Sequence, residues 1–244
     1  MELRGSKAYD QKEFYSSYIK RRARKDSPNN AIEAPIIKEL IGNTAGEAVL
    51  DLGCGDADFG RELLLQGAES YTGVEGSAQM AEAARTNLLG LNGSVKFTSM
   101  ESFSFPLDTY DLAASRFALH YISDLAGLFE KIHQSLKDKG RFVFSVQHPL
   151  TTSSFLSKEK DGRRGSWIVD DYFIQGERKE PWMGEIVVKY HRTIEEYFRC
   201  LTHAGFRITD LREGTPDRKY FSSDEEYERR LRIPVVLLFS CEKI

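Results

Sequence analysis

Cysteine is scarce: Cys54, Cys200 and Cys241 are the three in 244 residues. An odd number, scattered and without C-x-x-C spacing, argues against a disulfide framework or a zinc site, and for reduced thiols in a cytoplasmic protein. Long apolar runs are missing too. No stretch approaches the roughly 20 residues a membrane span requires, and Met1-Glu2-Leu3-Arg4-Gly5 has no apolar segment of signal-peptide type. Neither sign of charge dominates: 34 Lys and Arg against 37 Asp and Glu leave a net charge of −3. Such a balance gives no general reason to expect nucleic acid as a partner. There is no internal repeat or low-complexity tract. The chain is long enough for one large α/β domain with a full core.

What is present is organised around Val49-Leu50-Asp51-Leu52-Gly53-Cys54-Gly55-Asp56-Ala57-Asp58-Phe59-Gly60. Strand formers end in two glycines spaced by one residue, and a helical pattern follows to Gly67, which predicts a buried strand, a tight turn and a helix facing the turn with its N-terminus. Bare glycine backbone lets a ligand approach, and the free N–H groups of the helix start favour its polar or acidic parts. A dinucleotide fingerprint would require a third glycine at position 58. That residue is Asp58, and with Asp56 close by it would repel a pyrophosphate. The site therefore suits a less anionic ligand carrying an amine as well as a carboxylate. Twenty residues past Gly55 the second strand, Tyr71-Thr72-Gly73-Val74, ends in Glu75, an acid placed to accept hydrogen bonds from a ribose hydroxyl pair.

V-L-D-L-G-C-G followed by an acid-tipped second strand resembles the class I S-adenosylmethionine-dependent methyltransferases of the small-molecule, type 11-like kind. The resemblance implies a Rossmann-like three-layer α/β sandwich with a seven-stranded, mostly parallel sheet. Its order would be 3-2-1-4-5-7-6, the last strand antiparallel. It further implies S-adenosylmethionine as cofactor, S-adenosylhomocysteine as product and no metal. Asp51, Gly53, Cys54 and Gly55 then form the turn under the methionine part, with Glu75, Gly76 and Ser77 at the ribose and Met80 on the adenine. Met100 occupies the place where the family often has an Asp for the adenine amino group, with Glu101 beside it, so backbone groups around Met100 or the Glu101 carboxylate take that part. Ser115 and Arg116, at the tip of the fourth strand, fall beside the methionine part. An N-terminal Tyr-Asp and a tyrosine-bearing helix also resemble the family. Here they are Tyr9-Asp10 and Phe14-Tyr15-Ser16-Ser17-Tyr18, with Tyr18 and Arg22, four residues apart on one helix face, aimed at the cofactor carboxylate. Phe14 and Tyr121 would meet the substrate.

The fourth-strand tip lacks the Asn/Asp-Pro-Pro-Tyr/Phe clamp of enzymes that methylate nucleic-acid bases. The fifth strand, Arg141 to Gln147, delivers His148-Pro149 to the same edge. A histidine there is a candidate general base or substrate anchor, because its ordinary pKa lies near 6.5. His120 and His191 are the further candidates, the latter from Tyr-His-Arg-Thr-Ile-Glu-Glu-Tyr before Ala-Gly-Phe, which resembles a subset of the same family. Between residue 150 and about 185 the pattern breaks down into polar, turn-rich sequence holding both tryptophans of the chain, and Ile186-Val187-Val188-Lys189-Tyr190-His191-Arg192 then has strand character. A long loop of this kind predicts a lid, with Trp167 and Tyr172 lining a pocket for an aromatic or apolar small molecule. The chain then divides as one domain over 1–244: an N-terminal helical cap at 1–45, a cofactor-binding core at 46–149, the lid at 150–190 and the C-terminal part of the sheet at 191–244. The sequence leaves the acceptor, the acceptor atom and the oligomeric state open. A non-enzymatic cofactor-binding scaffold and a nicotinamide-dependent oxidoreductase are the competing readings.

Overall fold

A computed structural model describes residues 2–157 and 166–244. The polar string at 158–165, expected to belong to the lid, lies outside the described residues. The strand before the glycine turn is β2 (Ala48–Leu52), every residue of it buried. It pairs in parallel with β3 (Ser70–Glu75) and β5 (Tyr110–Arg116). Outside these lie β4 (Gly93–Phe97) and β6 (Leu136–Gln147), also parallel. The last strand, β10 (Val236–Lys243), inserts antiparallel between β6 and β9 (Phe206–Arg212). The sheet runs β4-β3-β2-β5-β6-β10-β9, which, counted within this sheet alone, is the order expected from the sequence.

Strand residues alternate between two cores, because both faces of the sheet are covered. Phe142, Phe144, Leu237 and Phe239 face α5 (Leu125–Ser135) and α7 (Ile194–His203) in one cluster. Val143, Val236 and Leu238 belong to the other. There they meet α2 (Ala34–Ile41), α3 (Asp58–Leu65) and the Ala84 and Leu88 side of α4 (Ala78–Asn87). The fifth strand of the sheet begins at Leu136 rather than Arg141. The charged stretch Lys137-Asp138-Lys139-Gly140, which reads as a helix end, instead joins the strand, with Leu136 paired to Tyr110 and Lys137 bound to Asp111 at 2.7 Å.

A second, three-stranded sheet was not expected. Strand β7 (Gly176–Trp182) forms a hairpin with β8 (Glu185–His191), and β8 pairs in parallel with β1 (Glu2–Arg4). The N-terminal segment is therefore not purely helical. It starts as a strand, passes through a 3₁₀ turn (Gly5–Asp10) and enters α1 (Lys12–Arg22). Leu3, Ala8, Phe14 and Val187 form a small core of their own, with Tyr9, Tyr121 and Trp182 against it. Two polar devices fix this unit. Asp10 Oδ1 accepts from Ser77 Oγ and the Ala78 N–H, both at 2.8 Å, at the start of α4. Lys189 forms a buried ion pair with Glu180, 4.7 Å from the Trp182 ring centroid. Burial, the largest single influence, pushes the Lys189 ammonium down, but the charges and hydrogen bonds of Glu180 and Tyr121 together outweigh it and hold the pKa above the ordinary value.

Two outcomes follow from these devices. Asp10→Ala removes a helix-start acceptor worth ~1 kcal/mol, so limited proteolysis within the first 25 or so residues should quicken about fivefold, with little change in global melting. Glu180→Ala leaves Lys189 buried without its counter-charge and should lower stability by about 3–5 kcal/mol, read by denaturant unfolding.

Candidate functional site

Strand β2 ends at Leu52, and the turn opens with Gly53, whose φ of +77° lies in the left-handed region. A Cβ there would stand 2.5 Å from that of Ala118 and 2.7 Å from Met100 Cε, so only glycine fits. The next strand over delivers Glu75. Its two oxygens accept from the backbone N–H groups of Gly55 (2.9 Å) and Ser77 (2.8 Å). Burial outweighs these hydrogen bonds and pushes the carboxyl up to about 7. Asp51, two residues before Gly53, is buried as well. Burial raises its pKa to about 6, against the opposing hydrogen bond from Tyr71 and the charges of Arg116 and Arg22. Tyr71 Oη donates to Asp51 Oδ2 at 2.7 Å, while Oδ1 has no hydrogen-bond partner among the described residues.

Strand β5 ends in Ser115, which donates to the Leu52 carbonyl at 2.7 Å and ties the two strand tips together. The Arg116 guanidinium binds both oxygens of the fully buried Glu33, which also accepts from Ser145 Oγ at 2.9 Å. Phe117 then turns through φ +52°, a strained conformation for an aromatic residue. From the other side the N-terminal segment contributes Tyr9, Tyr18 and Arg22. Tyr9 Oη is 3.4 Å from Tyr121 Oη, and its ring centroid is 4.8 Å from that of Tyr18. Arg22 lies 3.3 Å from Asp56 in the glycine turn.

Together these elements enclose a cavity of about 670 Å³, within the range of pockets that bury a small molecule. Of the residues singled out in the sequence, Tyr18, Arg22, Asp51, Gly53, Cys54, Gly55, Glu75, Gly76, Met80, Met100, Glu101, Arg116 and Tyr121 line it. Ser77 and Ser115 stand one step behind, holding Glu75 and the β5 tip. Phe14 also backs the wall, packed edge-on against Trp182 at 5.4 Å. An orphaned buried carboxylate oxygen, bare glycine backbone at Gly53 and Gly55, and a second buried carboxylate fit a ligand bearing an ammonium, a close-packed chain and a hydroxyl pair.

The three candidate histidines stand outside the cavity wall. His148 Nε2 is 3.0 Å from Glu213 Oε1, and its Nδ1 accepts the Leu150 N–H at 3.2 Å, capping a short helix, α6 (Pro149–Thr152). Burial pulls its pKa down despite Glu213. His191 is held between Thr152 Oγ1 and the Tyr172 carbonyl, each at 2.8 Å. The carbonyl can only accept, so Nε2 carries the proton and Nδ1 accepts from Thr152. His120 is buried against the Tyr121 ring, its pKa driven well down by burial and by Lys189. Trp167 and Tyr172 lie outside the cavity wall as well, Tyr172 packing on His191. Sequence reasoning missed Tyr71, Glu33 and the Lys189–Glu180 pair, since each acts from behind a residue it supports. Among the described residues no group of three or more His, Cys, Asp or Glu side chains is arranged to hold a metal ion.

Comparison with known proteins agrees with this geometry. Residues 10–211 match the family described as methyltransferase domain. An uncharacterized protein of Haemophilus influenzae is 31% identical over 215 residues, covering 84% of this chain and 85% of its own. An uncharacterized methyltransferase of Schizosaccharomyces pombe is 31% identical over 200 residues, with 75% and 70% covered. A solved S-adenosylmethionine-dependent methyltransferase from Mesorhizobium loti superposes with a TM-score of 0.80 at 31% identity, over 89% of this chain and 100% of that one. Fold, glycine turn and relatives converge: the chain belongs to the methyltransferase-domain family and is an S-adenosylmethionine-dependent methyltransferase.

Proposed function

We propose that the cavity takes S-adenosylmethionine with its ribose at Glu75, its adenine between Gly76, Met80, Met100 and Glu101, and its methionine part over the glycine turn. Asp51 meets the ammonium, and Arg22 with Tyr18 meets the carboxylate. The observation that carries this reading is Glu75: a carboxylate at the strand tip, held between two backbone N–H groups and still able to accept from a hydroxyl pair. The bound cofactor supplies a methyl group already activated by its sulfonium, and S-adenosylhomocysteine is the product. The chain's own residues hold the two reactants in line and exclude water, so that proximity carries most of the rate.

The acceptor in this reading is a small molecule with an apolar or aromatic body, methylated on oxygen or nitrogen. Two features support it. The N-terminal segment and the small sheet close over the carboxyl edge, leaving a cavity rather than an open groove. The wall on that side mixes phenols (Tyr9, Tyr18, Tyr121) with Ile19, Ile122 and Val188. The phenols can hold the acceptor's heteroatom by hydrogen bonds, but burial raises the pKa of Tyr9 and Tyr18 and keeps both protonated, so neither is a base. The working place we propose is the cytoplasm. Three buried, unbonded thiols suit a reducing compartment, and no helix among the described residues is long and apolar enough to cross a membrane.

Calorimetry tests the cofactor reading. S-adenosylhomocysteine should bind one per chain, and NAD should give no heat. Glu75→Gln should weaken binding of S-adenosylhomocysteine about 10-fold or more, because a neutral amide loses the charge-assisted hydrogen bonds, with the fold retained by circular dichroism. Unchanged affinity in Glu75→Gln would remove Glu75 from the cofactor site.

A further inference from the structure

Tyr71 sits early in β3, is buried, and does not line the cavity. Its ring lies in a slot made by two glycines. A Cβ on Gly60, inside α3, would overlap the ring itself, and one on Gly73 would stand 2.7 Å from Cys54 Sγ and 3.1 Å from the ring. Glycine within a helix costs roughly 0.5–1 kcal/mol relative to alanine, and the close approach of the ring accounts for it at Gly60. In the slot the phenol donates to Asp51 Oδ2 at 2.7 Å and also lies within hydrogen-bond reach of the Cys54 thiol.

We infer that Tyr71 is a positioning residue for cofactor binding: by donating to Oδ2 it fixes the Asp51 carboxylate and leaves Oδ1 as the acceptor for the ligand's ammonium. The inference rests on the proposed reading that Asp51 meets that ammonium. Its force comes from the mismatch between the two oxygens. Both lie in the same buried carboxylate, yet among the described residues one has a short hydrogen bond and the other has none. A buried carboxylate oxygen without a partner is costly, and an ammonium would satisfy it. Tyr71 also favours the ionised form of Asp51, opposing burial, and in this it acts with Arg116 from β5 and Arg22 from α1. Glu33, Glu75 and the Cys54 thiol face the same carboxylate and act against ionisation or do not aid it. Without the phenol the carboxylate would be both freer to rotate and more readily protonated, and both changes weaken its hold on a cation.

The test is a double-mutant cycle read by calorimetric binding of S-adenosylhomocysteine at pH 7, with Tyr71→Phe, Asp51→Asn and the pair. Tyr71→Phe keeps the ring in its slot and removes only the hydroxyl. It should weaken binding ~5- to 10-fold in the wild-type background and have no further effect on Asp51→Asn. Loss of the same size in both backgrounds, or no loss in the wild type, would overturn the inference. Wild-type affinity in Asp51→Asn alone would overturn the assignment of Asp51 to the ammonium, and the inference with it. Should Asp51→Asn fail to fold, the pH profile of binding for Tyr71→Phe decides. Its Asp51-dependent fall should move up by about one pH unit relative to wild type, and an unmoved profile would count against the inference.

Discussion

Two carboxylates buried at neighbouring strand ends are the constraint on which the site depends. Asp51 and Glu75 are both held well above the ordinary carboxylate range, at about 6 and about 7, chiefly by burial. Ionising each at neutral pH costs the folded protein about 3 kcal/mol relative to the unfolded chain. That cost is absent below the unfolded pKa values and grows as the pH rises toward the folded ones. The fold spends several devices on holding the pair in place: two backbone N–H groups on Glu75, and the Tyr71 phenol and two arginines around Asp51. Such an arrangement is preorganised for a ligand that brings an ammonium and hydroxyl donors, and it is poor for a pyrophosphate.

The rest of the architecture follows from keeping that edge dry. The β5 tip is locked by Ser115 to β2, and by Arg116 to Glu33 and Ser145. The N-terminal segment covers the cavity, tied at one end to α4 through Asp10 and at the other to the small sheet through β1 and β8. Lys189 and Glu180 form a buried support beneath Tyr121 and Trp182. A cap built in this way couples sequence-distant segments, since residues 2–22 and 176–191 must assemble together before the cavity closes.

Much of this was legible in the sequence where chemistry and local pattern coincide. The glycine turn needs positive φ at Gly53, the parallel strands read as apolar runs because helices cover both faces, and Glu75 falls at a strand tip by spacing alone. Of the small sheet only β8 was legible, as the run from Ile186 to Arg192, and its two partners were not, for a physical reason. Gly176-Glu177-Arg178-Lys179-Glu180-Pro181-Trp182 has no alternating apolar signal, because the one residue it buries fully is the charged Glu180. Its strand character comes from pairing with β8. Strand β1 is three residues long, too short for any periodicity. For the histidines, strand position fixes where a residue's backbone lies but not where its ring points. His148 turns back to cap the short helix that Pro149 begins, and His191 closes on Thr152 and Tyr172. Tyr71 left a trace that pattern reading passed over: a glycine inside a helix, at Gly60, with no turn to explain it.

The central claim, that two buried carboxylates with raised pKa values receive the cofactor, makes a prediction about protons. Binding should make both groups more acidic, since an ammonium and hydroxyl donors favour their charged forms. Heats of S-adenosylhomocysteine binding at pH 6.5, compared in two buffers of different ionisation enthalpy, count the protons exchanged. The account predicts net proton release from the protein, and zero exchange or net uptake would contradict it.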